Sequence, residues 1–226
     1  MKKAFLAGCA LLCLAALVPA AGCSKKVDLT DYVSEYRSDI YMGTEGDYSV
    51  IASVSFREYA YVADGNAGET QQLFEVTLSV PDNTKTYSIG FSYGNVSKQA
   101  ELSFDSVIMV HTWSESLPAP TEKEIDFTIT CEEEESEPVT VRAASVKTEN
   151  VLSLGKLLET VSAQESERFS ALTSEHTFLG ELYVRLLSEA DDCFYYIGLT
   201  DRNGKTFSML CDAENGEVIA TKEQQQ

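Results

Sequence analysis

Between Tyr48 and Val146 the chain repeats one pattern: short runs rich in Val, Ile, Phe, Tyr and Thr, alternating in character and separated by turn-forming clusters. Period-two alternation of this kind specifies half-buried strands. Strands are predicted at Tyr48–Phe56, Gln72–Val80, Thr86–Tyr93, Ala100–Phe104, Val107–Trp113, Glu124–Cys131 and Pro138–Ala144. Asp64-Gly65-Asn66, Pro81-Asp82-Asn83, Gly94-Asn95 and Pro118-Ala119-Pro120 punctuate them, each favouring a turn or blocking ladder pairing. In the late strands Phe127, Ile129 and Cys131 share one face, as do Val139, Val141 and Ala143. Seven strands in about 100 residues suit an immunoglobulin-like β-sandwich over residues 48–147, although no Cys, Trp, Cys spacing marks an antibody-type domain. Trp113, the only Trp, reads as a packing residue. The polar stretch 23–47 reads as a tether ending in a loosely attached first strand.

After Lys147 the period lengthens to that of a helix. Thr148 or Asn150 can cap it, and Val151, Leu154, Leu157, Leu158 and Val161, then Phe169 and Leu172, form an apolar stripe, predicting helix from Asn150 to Thr173 with a bend near Ser162. Period two then returns in Leu182/Val184/Leu186, Cys193/Tyr195/Ile197/Leu199 and Phe207/Met209/Cys211. The two connecting turns, Asp201-Arg202-Asn203-Gly204-Lys205 and Ala213-Glu214-Asn215-Gly216-Glu217, nearly repeat each other. Three-residue loops with Gly in the left-handed position would pair Asp201 with Lys205 and Ala213 with Glu217, facing Cys211 with Tyr195 and turning Ile219 toward the helix. Residues 181–189 also admit a helical reading. Residues 148–226 are thus expected to pack a helix on a small antiparallel sheet, making the chain mainly β with an α+β C-terminal part.

The first 22 residues have the form of a secretory signal: Lys2 and Lys3, an apolar run from Ala4 to Val18, then small residues. With Ser24, Lys25 and Lys26 following closely, the run is too short to span a bilayer comfortably. Val18-Pro19-Ala20-Ala21-Gly22-Cys23 resembles the processing box of bacterial lipoprotein precursors, with Ala20 where that family more often has Leu. The resemblance implies cleavage between Gly22 and Cys23, lipid on Cys23, and an extracytoplasmic, membrane-anchored protein; the alternative is an ordinary signal peptide with a chance Cys. A second resemblance covers about Asn150 to Thr221. The helix, the meander and the ending Met209-Leu210-Cys211-Asp212-Ala213-Glu214-Asn215-Gly216-Glu217-Val218-Ile219 look like a PepSY-type domain. Such domains are linked to restraint of peptidases or other envelope proteins, and their motif carries no catalytic residues. The layout as a whole is similar to small lipoproteins of Firmicutes.

Charge narrows the partners. The formal net charge is −19, and losing Lys2 and Lys3 with the leader would make it two units more negative. Such a chain is repelled by nucleic acid and by anionic headgroups, so the lipid must supply the anchor. Glu132 to Glu135 with Glu137 is the densest acidic patch and reads as a solvated hairpin loop. His111 and His176, the only histidines, fit no metal-ligand spacing, and Asp201-Arg202-Asn203-Gly204 departs from a calcium loop at Lys205. No cofactor is implied. Cys193 and Cys211 fall diagonally on one face, about 7–8 Å apart, which favours free thiols over a disulfide. Tyr59, Tyr61, Phe91 and Tyr93 could line a binding patch or divide between core and surface. Two functions follow: a non-enzymatic, lipid-anchored binding or regulatory module with an envelope-protein or cell-wall partner, or an envelope hydrolase using two carboxylates.

Overall fold

The computed structural model describes residues 27–58, 62–133, 137–190 and 192–223. A 3-10 turn at Leu29–Tyr32, capped by the Asp28 carboxylate accepting from the Thr30 amide, leads into β1 (Val33–Glu45). There follow β2 (Tyr48–Glu58), β3 (Thr70–Ser79), β4 (Tyr87–Tyr93), β5 (Val96–Glu101), β6 (Ser103–Asp105), β7 (Val110–Glu115), β8 (Glu124–Cys131) and β9 (Val139–Ser145). Helices α1 (Leu154–Gln164) and α2 (Ser166–Ala171) precede the two-residue strands β10 (Thr173–Ser174) and β11 (Thr177–Phe178). The chain closes with β12 (Gly180–Glu189), β13 (Asp192–Asp201), β14 (Thr206–Asp212) and β15 (Val218–Glu223).

The expected tether contains the strand that joins the molecule. β1 pairs with β2 along most of its length, and its other edge is divided. Val33 to Arg37 run parallel to Leu182 to Arg185 of β12, while Tyr41 and Met42 pair antiparallel with β9. The division falls at a bulge between Arg37 and Asp39, where the extra residue bends the strand. The Asp39 carboxylate accepts from the Ile40 amide and from Ser145 Oγ, tying the bend to β9. The continuous order β15-β14-β13-β12-β1-β2-β3-β7-β6 results, antiparallel except at β1–β12, with β5-β4-β8-β9 attached through β9.

Two cores lie on either side of this joint. Tyr41, Val50, Val54, Phe74, Leu78, Ile89, Phe127 and Val141 bury themselves with the inner faces of β1–β4 and β7–β9. Ile40, Leu157, Leu158, Val161, Leu182, Val184, Tyr195, Ile197 and Met209 form the second, where α1 covers β12–β14. β8 has the expected bounds, and the alternation of β8 and β9 points the expected residues inward. The predicted strand 100–104 is interrupted at buried Leu102, whose amide bonds to the Tyr87 carbonyl: the chain leaves β4 there and β6 joins β7.

The C-terminal meander matches the expected strand reading, with β12 excluding the helical alternative for 181–189. The helix starts later than predicted, after Ser153, because the Leu152 amide is held by the Ala213 carbonyl, and it breaks at Glu165, three residues beyond the expected bend. Asp201 pairs with Lys205 as expected, Gly204 taking φ +76°. The second turn is wider: Asp212, not Ala213, bonds to Glu217. Ala213 is instead buried, with its amide on the Cys193 carbonyl. A register shift leaves Ile219 between the pairs Leu210–Ala220 and Cys211–Val218, so Ile219 is exposed and Val218 takes the inward place expected of it.

On the opposite sheet face the Tyr183 ring lies across Gly198, where a Cβ would overlap the ring. Gly198→Ala is therefore expected to displace Tyr183 and cost about 1–3 kcal/mol, the usual range for overpacking, read from the denaturant midpoint. An unchanged midpoint would show that Tyr183 moves freely.

Candidate functional site

Topology separates two ends of the molecule. β1 spans roughly 40 Å at the usual rise per residue, from Val33 at one end to the β1–β2 turn at the other. The β3–β4 loop, the β6–β7 hairpin and the β8–β9 loop meet at the latter, distal end. Tyr48 contacts Tyr87, Tyr87 contacts His111, Asn83 Nδ2 donates to the Met109 carbonyl, and the Thr86 amide donates to Glu133.

The tip of the β6–β7 hairpin departs from ordinary turn chemistry. Val107 to Trp113 was expected as one strand, but β7 starts only at Val110. The Asp105 carboxylate accepts from the amides of Val107 and Ile108, fixing a turn, and Met109 adopts φ +59°. That conformation costs a non-glycine residue about 1–2 kcal/mol. Val107 is 88% exposed, Ile108 60% and Met109 56%, with Phe104 at their base. Turns normally carry polar residues or glycine, and contiguous exposed apolar side chains mark interaction surfaces. Asp105, Asp82, Glu132, Glu133 and Glu137 stand on the same group of loops, so the apolar tip has an acidic surround.

Beneath the tip lies His111, 2% exposed and set between the rings of Tyr87 and Phe104. Neither ring nitrogen has a hydrogen-bond partner among the described residues, and nor does Asn83 Oδ1. Burial lowers the His111 pKa. The unfolded chain therefore takes up a proton that the folded chain refuses, and stability is lost as pH falls below about 6.5. His111→Phe is expected to raise stability by about 1–3 kcal/mol, the desolvation cost of unpartnered polar atoms, and to flatten stability between pH about 7 and about 5.5. Denaturant midpoints at the two pH values measure both effects; a loss of stability in His111→Phe would show that the imidazole has a partner.

Several carboxylates are held as ions. Glu133, Asp126 and Glu223 are held below the usual range mainly by side-chain hydrogen bonds, and Glu122 by backbone amides, all of which favour the ion. Asp39 is raised by burial, and its Oδ1 accepts both hydrogen bonds at the β1 bulge. A groove of about 670 Å³ beside α2 is lined by Arg168, Lys205, Phe207 and Glu223. Its cations are engaged: Arg168 stacks on Phe207 at 3.6 Å and pairs with Glu165 and Glu223, and Lys205 lies 2.9 Å from Glu223.

Gly22 and Cys23, the expected cleavage and lipidation residues, lie outside the described residues, as do Tyr59, Tyr61, Glu134 and Glu135. Phe91 and Tyr93 are core residues, and Trp113 packs edge-on against Phe91. Asp201 to Lys205 is a turn in which the Asp201 carboxylate accepts from the amides of Asn203 and Lys205. Cys131, Cys193 and Cys211 are free thiols, and burial pushes Cys211 up to about 12. No described group of His, Cys, Asp and Glu could hold a metal ion, and no described helix is long and apolar enough to cross a membrane. Comparison with protein families, with characterised proteins and with solved structures gives no significant match.

Proposed function

We propose that this chain is a non-enzymatic, lipid-anchored binding or regulatory module of the bacterial envelope, held at Cys23 and engaging an envelope protein through the β6–β7 hairpin. The exposed Val107-Ile108-Met109 tip carries the proposal. It lies at the end of the sheet opposite the start of β1, so an anchor preceding Val33 would direct the tip away from the membrane. The tip chemistry fits a protein surface with an apolar pocket and a basic rim. On this reading strands β1–β9 act as an immunoglobulin-like sandwich that carries the tip, and α1 with β12–β15 is the PepSY-like part, close to the membrane.

Burying a Val or Ile side chain contributes about 1.5–3 kcal/mol. Replacing both Val107 and Ile108 with Asp should therefore weaken association about a hundredfold or more and leave the fold intact, since neither side chain belongs to a core. The test compares chemically crosslinked adducts of wild type and the Val107→Asp, Ile108→Asp variant in intact cells. Equal adducts from both would exclude the hairpin as the contact.

A further inference from the structure

On the face of the sheet turned away from the helices, five charged side chains stand on four neighbouring strands. Arg185 of β12 donates through two nitrogens to both Glu35 oxygens on β1, at 2.7 Å each. Arg57 of β2 donates to one oxygen of Glu75 on β3 at 2.9 Å, and Ser55 Oγ donates to the other at 2.7 Å. Arg37 stands between the two pairs, in register with Arg185 on one side and Ser55 on the other. Three of the chain's six arginines thus share two carboxylates whose four oxygens are already engaged.

The Arg37 guanidinium makes no hydrogen bond among the described residues. It is partly desolvated and lies near the like charge of Arg185, and both effects lower its pKa against the pull of Glu35 and Glu75. Acidic residues outnumber basic ones 36 to 17 in this chain. Under such a composition, a half-buried arginine without a carboxylate of its own is a conspicuous omission.

Two tyrosines stand on the same face, on β12 and β13. Tyr183 is in register with Glu35, diagonal to Arg37, with Arg185 5.4 Å from its ring centroid. Its ring lies 5.8 Å from that of Tyr196, whose hydroxyl is 2.8 Å from Ser208 Oγ. A guanidinium fork matches a planar carboxylate through two parallel charge-assisted hydrogen bonds, and tyrosine faces accept the apolar body of the same ligand.

We propose that this face binds a small carboxylate ligand with an aromatic or apolar body, Arg37 taking the carboxylate and the Tyr183–Tyr196 pair the body. The ligand supplies the third anion that the charge row lacks. The site spans the joint between the two cores, so an occupant would touch β12 and β13 of one and β1 of both.

The test is an NMR titration with sodium benzoate at low chloride, following arginine Nε–H and tyrosine ring resonances. Wild type should show saturable shifts at Arg37 and Tyr183. Arg37→Gln should weaken the response at least tenfold, while Arg142→Gln, which removes an exposed arginine paired with Asp126, should leave it unchanged. Failure to saturate, an unaltered response in Arg37→Gln, or shifts centred on Arg168 and Phe207 would overturn the assignment. An inorganic phosphate titration as tight as benzoate would overturn the carboxylate and aromatic selectivity. The shift map of wild type decides the matter even if Arg37→Gln fails to fold.

Discussion

Leu182→Ala, a change in the C-terminal core, is expected to lower the unfolding midpoint reported by Trp113 in the other core. Leu182 is fully buried between the sheet and the helix, and truncating such a leucine costs about 2–5 kcal/mol. If the halves folded independently, divided near residue 147 as the sequence suggests, Trp113 would not register the change. Its ring packs 5.7 Å from Phe91, far from Leu182 in the strand order. But β1 bonds to β12 through Val33 to Arg37 and contributes Tyr41 to the first core, so losing one partner frays the strand that the other needs. Coincident transitions by Trp113 fluorescence and far-UV circular dichroism, both displaced, are expected. A Trp113 transition unmoved while the dichroism shifts would show two independent units.

Cys23→Ala is expected to move the protein from the membrane fraction to the soluble fraction almost completely. No described helix is long and apolar enough to cross a membrane, and the acidic chain is repelled by anionic lipid. On the proposed lipid-anchored reading attachment depends on acyl chains, which hold firmly in combination and only marginally as a single chain. The fold should be unaffected, because Cys23 belongs to neither described core. Fractionation followed by a Trp113 unfolding curve checks both parts; a Cys23→Ala protein that still sediments with membranes contradicts lipid anchoring.

Much of the strand pattern was legible because alternation survives wherever one face is buried and the other is wet. β8 and the Asp201–Lys205 turn show this most clearly. A first strand was expected there, but the length of β1 and its role as the joint were not legible, for two physical reasons. Its Ser34 and Glu35 are polar but buried, satisfied by Leu182 O and by Arg185, 150 residues away from Glu35 in sequence. The bulge after Arg37 also shifts the alternation in mid-strand. A run of polar residues that is buried only through a distant partner looks like a tether until that partner is placed.

The hairpin tip misled in the opposite direction. Val107, Ile108 and Met109 have the composition of a strand, and only Asp105, whose carboxylate gathers the next amides into a turn, signals otherwise. Likewise the arginine row was invisible because Arg37, Arg57 and Arg185 are scattered in sequence and meet only when β12 docks on β1. The free thiols, by contrast, followed from register: Cys211 does face Tyr195, with Cys193 two positions away.

The central claim is that the molecule meets its partner through the distal hairpin. The most direct measurement places a photo-crosslinking amino acid at position 108, and separately at position 219, in the lipid-anchored protein in intact cells. Ile108 and Ile219 are both exposed, one on the distal tip and one on the C-terminal edge strand. A discrete protein adduct from position 108 and none from position 219 is the expected result; an adduct from position 219 with none from position 108 would move the contact to the C-terminal part and contradict the account.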